Sequence, residues 1–268
     1  MKPAINQWAF PWEMSTIDVI SKVKEIGFEA FEPCVAPISV DATEADMTAV
    51  RRHADNIGIE LTSIGVSFGW DLPLSSSDPV MRQKGKDAFT KTLQMASWLG
   101  VETVLMVPGG CSEEMRYDVA LENATTAVRE LVPVAEKFKV SLAIENVWNK
   151  FLLSPVEMRD FIDQFDSEYI GAYMDVGNII PYGFPEQWIQ ILGSRIRRVH
   201  AKDFRAKVGN WDGFVMLMEG DVNWPAVMSA LREIGYNGPL TAEYGAYKHS
   251  LDVTLKHVLT SLKTIIAL

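Results

Sequence analysis

Four short apolar runs in the second half of the chain each lead to a side chain able to hold a metal ion or move a proton. They are Ser141-Leu142-Ala143-Ile144-Glu145, Ile170-Gly171-Ala172-Tyr173-Met174-Asp175, Arg198-Val199-His200-Ala201-Lys202-Asp203 and Pro239-Leu240-Thr241-Ala242-Glu243. A lone histidine in such a run is more often a packed core residue than a ligand, and an acid just past a strand is common. Four in succession are not what core packing alone produces. Glu145, Asp175, His200 and Glu243 together form a hard, oxygen-rich donor set. It suits Mn²⁺ first, with Mg²⁺, Co²⁺ or Zn²⁺ as alternatives, whereas a structural zinc would usually recruit cysteine. Alternate residues of a strand share a face, so Lys202 is expected on the same side as His200.

For these ends to meet, the chain must put them on one rim. A single phrase recurs: an amphipathic helix, a glycine or polar stop, then a short apolar strand. The expected strands are Ala4 to Phe10, Ala30 to Glu32, Leu61 to Val66, Thr103 to Val107 and the four runs above. Gly27, Gly58, Gly100 and Gly235 suit helix C-caps, where glycine takes the left-handed conformation without strain. Ser15 with Asp18, Thr43 with Asp46, Ser154-Pro155 with Glu157, and Asn223-Trp224-Pro225 mark helix starts. Strands alternating with helices predict parallel βα units. Eight of them predict an α/β fold, a (β/α)8 TIM barrel of one domain over residues 1–268, a class of typically ~250 residues with active sites at the C-terminal strand ends. An open doubly wound sheet is the runner-up, but no glycine-rich phosphate fingerprint follows the first strand.

Hydrophobic residues make up 48% of the 268 and charged residues 22%, ordinary for a chain that buries a large core. No apolar run reaches the ~18 residues of a membrane helix, so no membrane association is expected. The first residues lack a signal-peptide pattern. A net charge of -10 argues against a nucleic-acid footprint. Cys34 and Cys111 form no paired motif, which fits a reduced cytoplasmic protein.

The runs Ala143-Ile144-Glu145-Asn146-Val147-Trp148-Asn149, Tyr173-Met174-Asp175-Val176-Gly177-Asn178 and Val199-His200-Ala201-Lys202-Asp203 resemble the sugar phosphate isomerase/epimerase family. So does Glu219-Gly220-Asp221-Val222-Asn223-Trp224 followed by Leu240-Thr241-Ala242-Glu243. That family has xylose isomerase-like barrels and includes ketose 3-epimerases and ketose-phosphate epimerases. The resemblance implies a divalent metal on Glu145, Asp175, His200 and Glu243, with Glu145 and Glu243 doubling as the acid/base pair. It also implies a small sugar or sugar-phosphate substrate and an assembly that is often a homo-dimer or homo-tetramer. The chemistry agrees. A cation gripping the carbonyl and adjacent hydroxyl stabilises a developing enediolate, and epimerisation needs one base on each face of that planar species. Asn178 stands where free-ketose epimerases carry histidine, and the loop after Glu145 lacks their acidic residue. The asparagine resembles the ketose-phosphate branch.

Other residues carry two readings each. Lys202 is either a contact to an oxyanion or phosphate, or a rim lysine paired with a carboxylate such as Glu219. Lys150 and Arg205 are loop cations, substrate contacts or solvated surface. Asn178 is a substrate-contact candidate through the resemblance. Trp8, expected at the end of the first strand, either walls the sugar pocket or belongs to the core, and Trp148 has the same two readings. Asn6 is a weaker candidate, and Glu32 is expected to hydrogen-bond structurally. The Val107-Pro108-Gly109-Gly110 loop either admits a substrate or makes a tight turn. His53, His249 and His257 are expected on helices, in structural roles. Cys34 and Cys111 are expected near the mouth without a nucleophilic role.

Rival functions keep the barrel and change the chemistry. A keto-inositol isomerase or a dehydratase uses the same enolising step. An apurinic-site endonuclease needs a histidine-rich multi-zinc cluster, for which only His200 is placed. A catalytically silent binding barrel has no use for Glu145 and Glu243.

Overall fold

The computed structural model describes residues 1–35, 39–245 and 247–268. Eight parallel strands form its sheet: β1 Pro3–Asn6, β2 Ala30–Glu32, β3 Glu60–Leu61, β4 Thr103–Met106, β5 Ser141–Glu145, β6 Ile170–Asp175, β7 Ile196–Ala201 and β8 Leu240–Ala242. Their spatial order is β3-β2-β1-β8-β7-β6-β5-β4. The ring closes where Ile64, just past β3, bridges Val104 in β4, with Ile64 N–H donating to Thr103 O and Leu105 N–H to Ile64 O at 2.9 Å. Eight α-helices alternate with the strands: α1 Thr16–Ile26, α2 Glu44–Ile57, α3 Pro79–Leu99, α4 Tyr117–Phe138, α5 Pro155–Asp163, α6 Pro185–Leu192, α7 Trp224–Glu233 and α8 Leu251–Ala267. The fold is the expected TIM barrel. Among the described residues, no helix is long and apolar enough to cross a membrane.

The helix punctuation works as its chemistry demands. Thr43 and Asp46 form a reciprocal capping box, and Ser15 and Ser154 accept backbone N–H bonds from Asp18 and Glu157. Gly27 and Gly58 cap α1 and α2 at φ 102° and 69°. After α4 the same left-handed turn falls on Lys139 at φ 55°, an uncommon conformation for a residue with a Cβ.

Several boundaries differ from expectation. β1 stops at Asn6, because the Asn6 side chain accepts Trp8 N–H at 2.7 Å and turns Gln7–Ala9 into a 3₁₀ helix. Trp8 therefore sits on a turn above the strand. β3 begins at Glu60 and is two residues long; beyond it the pairing with the neighbouring strands continues as single bridges at Ile64 and Gly65. β4 and β8 are a residue or two shorter than expected, leaving Glu243 just past its strand. His249 lies in a turn, whereas His53 and His257 are on α2 and α8.

Strand alternation sorts polar from apolar residues across the barrel wall. Ile5, Phe31, Leu142, Ile144, Met174 and Val199 are buried in the apolar core. The alternate positions Asn6, Glu32, Tyr173 and His200 are also fully buried, and they hydrogen-bond to one another. The barrel interior near the rim is thus a connected polar network.

Past β7 the chain makes a short antiparallel ribbon, Asp203–Phe204 with Phe214–Val215. Its anchor is Asp203, fully buried and accepting N–H bonds from Phe204, Met218, Val222 and the Trp224 indole at 2.8 to 3.2 Å. Asp203→Ala leaves those buried donors without an acceptor. We expect it to cost at least ~3 kcal/mol, since each orphaned buried group costs about 1–3 kcal/mol. Urea unfolding of the two proteins measures the loss; a difference below ~1 kcal/mol would show that the loop does not depend on this carboxylate.

Candidate active site

Register brings the four ligand candidates to one rim. Asp175 is the register partner of His200, and Glu145 of Tyr173, one alternate position below Asp175. Glu243 N–H donates to Ala201 O at 3.3 Å, which fixes it beside the end of β7. Ligand atoms of Glu145, Asp175, His200 and Glu243 all lie within 4.8 Å of one another.

His200 is the centre of the cluster. Its Nε2 lies 2.8 Å from Glu32 Oε2, and its Nδ1 lies 3.0 Å from Glu145 Oε1 and 2.7 Å from Glu243 Oε2. Burial disfavours charge on this ring, but Glu32, Glu243 and Glu145 outweigh burial and hold its pKa well above the usual imidazole value. Glu32 is likewise penalised by burial, yet His200, Tyr173 and Asn6 hold its pKa below the ordinary one. Asn6 Nδ2, Ser63 Oγ and Tyr173 OH donate to Glu32 at 2.5, 2.9 and 2.6 Å. Glu32 therefore fixes the ring plane and the Nε2 proton, and leaves Nδ1 to face the carboxylates. A carboxylate behind a metal-binding histidine has this arrangement.

The two glutamates differ. Burial pushes Glu145 up to about 7, helped by Glu243 and opposed by His200. Burial acts on Glu243 too, but Lys202 and His200 overcome it and hold Glu243 at about 2. Lys202 Nζ lies 2.9 Å from Glu243 Oε1 and 3.2 Å from Asp175 Oδ2. Despite burial, its carboxylate neighbours raise its pKa. Asp175 is raised by burial, with Lys202 opposing. Asp175 Oδ2 and Glu243 Oε2 are buried and accept no hydrogen bond; Lys202 and His200 are near them, but not in hydrogen-bond geometry. Two buried carboxylate oxygens without donors are what a cation site presents.

The rim between β5 and β6 is locked by amides. Asn146 Oδ1 accepts Asp175 N–H at 2.9 Å, Asp175 Oδ1 accepts Asn178 N–H at 2.8 Å, and Asn178 Nδ2 donates to Asn146 O at 2.9 Å. Trp148 Nε1 donates to Asn178 O at 2.8 Å.

A cavity of about 320 Å³ opens on the cluster, and Trp8, Trp148, Asn178, Lys202, Glu145 and Glu243 all line it. Lys202 pairs with Asp175 and Glu243, so the expected alternative partner Glu219 is replaced. Lys150 lines a neighbouring cavity of about 380 Å³ that shares Trp70 and Trp148 with the first. Arg205 lines neither; it is exposed and donates to Glu219 O. Gly109 and Gly110 line that 380 Å³ cavity, and a Cβ on Gly110 would stand 2.5 Å from Asn149 O, so the missing side chain permits a close backbone approach. Cys34 is fully buried, and burial raises its thiol pKa, which disfavours a thiolate there. Asn146 and Tyr173 had no sequence signal beyond position. Tyr173 could have been flagged as two residues before Asp175, on the same strand face.

A model of the xylose isomerase-like TIM barrel matches residues 20–264. The chain belongs to this family. Among relatives, it is 25% identical to the D-psicose 3-epimerase of Ruminiclostridium cellulolyticum, over 88% of this chain and 80% of that protein. It is 23% identical to the putative L-ribulose-5-phosphate 3-epimerase SgbU of Escherichia coli K12, over 89% of this chain and 87% of that one. Among solved structures, the IOLI protein with a binding zinc atom superposes with a TM-score of 0.84 at 15% identity, covering 100% of this chain and 98% of that one. Within the family, these relatives are epimerases, in line with an isomerase here.

Proposed function

We propose that this chain is a divalent-metal-dependent epimerase or isomerase acting on a ketose or ketose phosphate. The observation that carries the reading is the cluster of three carboxylates and one imidazole within 4.8 Å, with two of its buried oxygens lacking donors. Glu145, Asp175, His200 and Glu243 would hold the cation, with Mn²⁺ our first assignment. When bound, such an ion supplies Lewis acidity at a carbonyl oxygen and the neighbouring hydroxyl. The names of the relatives support a sugar and a proton transfer beside its carbonyl.

The residues divide the remaining work. Glu243, held ionised by Lys202, takes the role of base. Glu145, the other glutamate of the cluster, would be the partner that gives and receives the proton. Trp8 and Trp148 wall the sugar space, and their apolar faces keep bulk water from the transfer. Asn146 and Asn178 keep Asp175 in place.

The test uses ketoses in D₂O. Deuterium uptake at the carbon beside the carbonyl, followed by NMR, should fall at least ~10²-fold after chelation and return on adding Mn²⁺. General acid–base catalysis alone contributes about 10²–10⁴-fold. A metal-replete protein that exchanges no proton across free and phosphorylated ketoses would overturn the reading. The same spectra, run with keto-inositols, separate it from a keto-inositol isomerase or dehydratase.

A further inference from the structure

The cavity over the cluster does not end at the cluster. A second cavity of about 580 Å³ shares Trp8, Lys202, Trp211 and Glu243 with the first and continues between Phe214 and Tyr247. The two therefore form one cleft with the proposed reaction centre at the junction. A ketose alone needs only the first part.

The charge of the cleft limits what fills the rest. Among the described residues, Lys202 is the single cation lining either part, and Asp175 and Glu243 already engage it. Glu145, Glu243 and Glu219 line the same space. With Glu145 and Glu243 committed to the proposed cation, Glu219 is the remaining carboxylate of this space, and among the described residues no lining lysine or arginine is free to pair with a phosphate dianion there.

The walls point to a ring instead. Trp211 is 65% exposed, yet its position is set by Trp148 at 4.8 Å and Phe214 at 5.7 Å between ring centroids. Asn210 caps its turn through Asp212 N–H at 2.8 Å. An indole held by its neighbours, with most of its surface open, is a platform on which a flat apolar face of a sugar can pack. Tyr247, 39% exposed, is braced by Thr254 and His257 through its N–H and hydroxyl.

We propose that the second cavity is a subsite for an uncharged ring joined to the reacting ketose, so that the preferred substrate is a glycosylated ketose and not a ketose phosphate. The assignment rests on the function proposed above for its reacting end. Lys150 lines the other neighbouring cavity together with Trp148, and gives a phosphate its alternative place.

The test is equilibrium binding to the Mn²⁺-loaded protein, by calorimetry. The probes are D-fructose, D-fructose 6-phosphate and a 6-O-glucosyl-D-fructose. The glycosylated ketose should bind at least ~10-fold more tightly than the other two. Trp211→Ala and Tyr247→Ala should each reduce that preference over fructose about 5- to 10-fold, with Trp211→Phe retaining most of it. Tighter binding of the 6-phosphate, or an equal preference in wild type and both variants, would overturn the subsite. Binding separates this inference from the reaction. Ring preference without deuterium exchange keeps the subsite and removes the enolisation; exchange of fructose without ring preference does the reverse.

Discussion

Glu243→Gln is expected to lower deuterium exchange between ketose and solvent by about 10²–10⁴-fold at saturating Mn²⁺, the range for loss of a positioned acid or base. Glutamine keeps the shape of the side chain but neither its charge nor its basicity. Glu243 stands 2.9 Å from Lys202 Nζ and 2.7 Å from His200 Nδ1, so the amide also removes a counter-charge from two buried cations. Metal affinity should therefore fall as well, and the exchange rate must be compared at metal saturation for each protein. Far-UV circular dichroism should not change, because Glu243 lies past β8 and contributes nothing to the apolar core. Exchange within threefold of wild type would remove Glu243 from the chemistry.

The second large effect lies behind the rim. Glu32→Gln should weaken Mn²⁺ binding about 10–100-fold, the usual consequence of losing the partner of a metal-binding histidine. Calorimetry is the readout, independent of turnover. Glu32 accepts from Asn6, Ser63, Tyr173 and His200, all of them donors. A glutamine offers one oxygen where the carboxylate offers two, and its NH₂ meets donors with a donor. His200 then loses the bond that fixes its Nε2 proton, and Nδ1 is no longer held toward Glu145 and Glu243. An affinity within twofold of wild type would show that packing alone orients the ring.

How far the chain could be read residue by residue depended on how local each signal is. Caps such as Thr43–Asp46 and Ser154–Glu157 are contained in four residues, so their positions were legible. β5 and β6 read correctly end to end, because an unbroken apolar run gives both length and terminus. β1 did not. Asn6 ends it by a side-chain bond to Trp8 N–H, a contact that composition does not announce. β3 failed for a different reason: its ladder depends on where β2 and β4 happen to lie. Lys202 was legible as a rim residue, but its partners belong to β6 and the loop after β8.

The eight βα units, the closed barrel they imply and the four residues whose types suit a hard cation were all readable along the chain. Those follow from periodicity, capping and donor chemistry, which act over a few residues. What needed the folded molecule was that Glu32 stands behind His200, that Lys202 pairs with Asp175 and Glu243, and that Arg205 donates to Glu219 O. Each of these depends on groups distant in the chain meeting, as His200 and Glu32 do at 2.8 Å. Such meetings are set by register and barrel closure, which no short stretch of chain encodes.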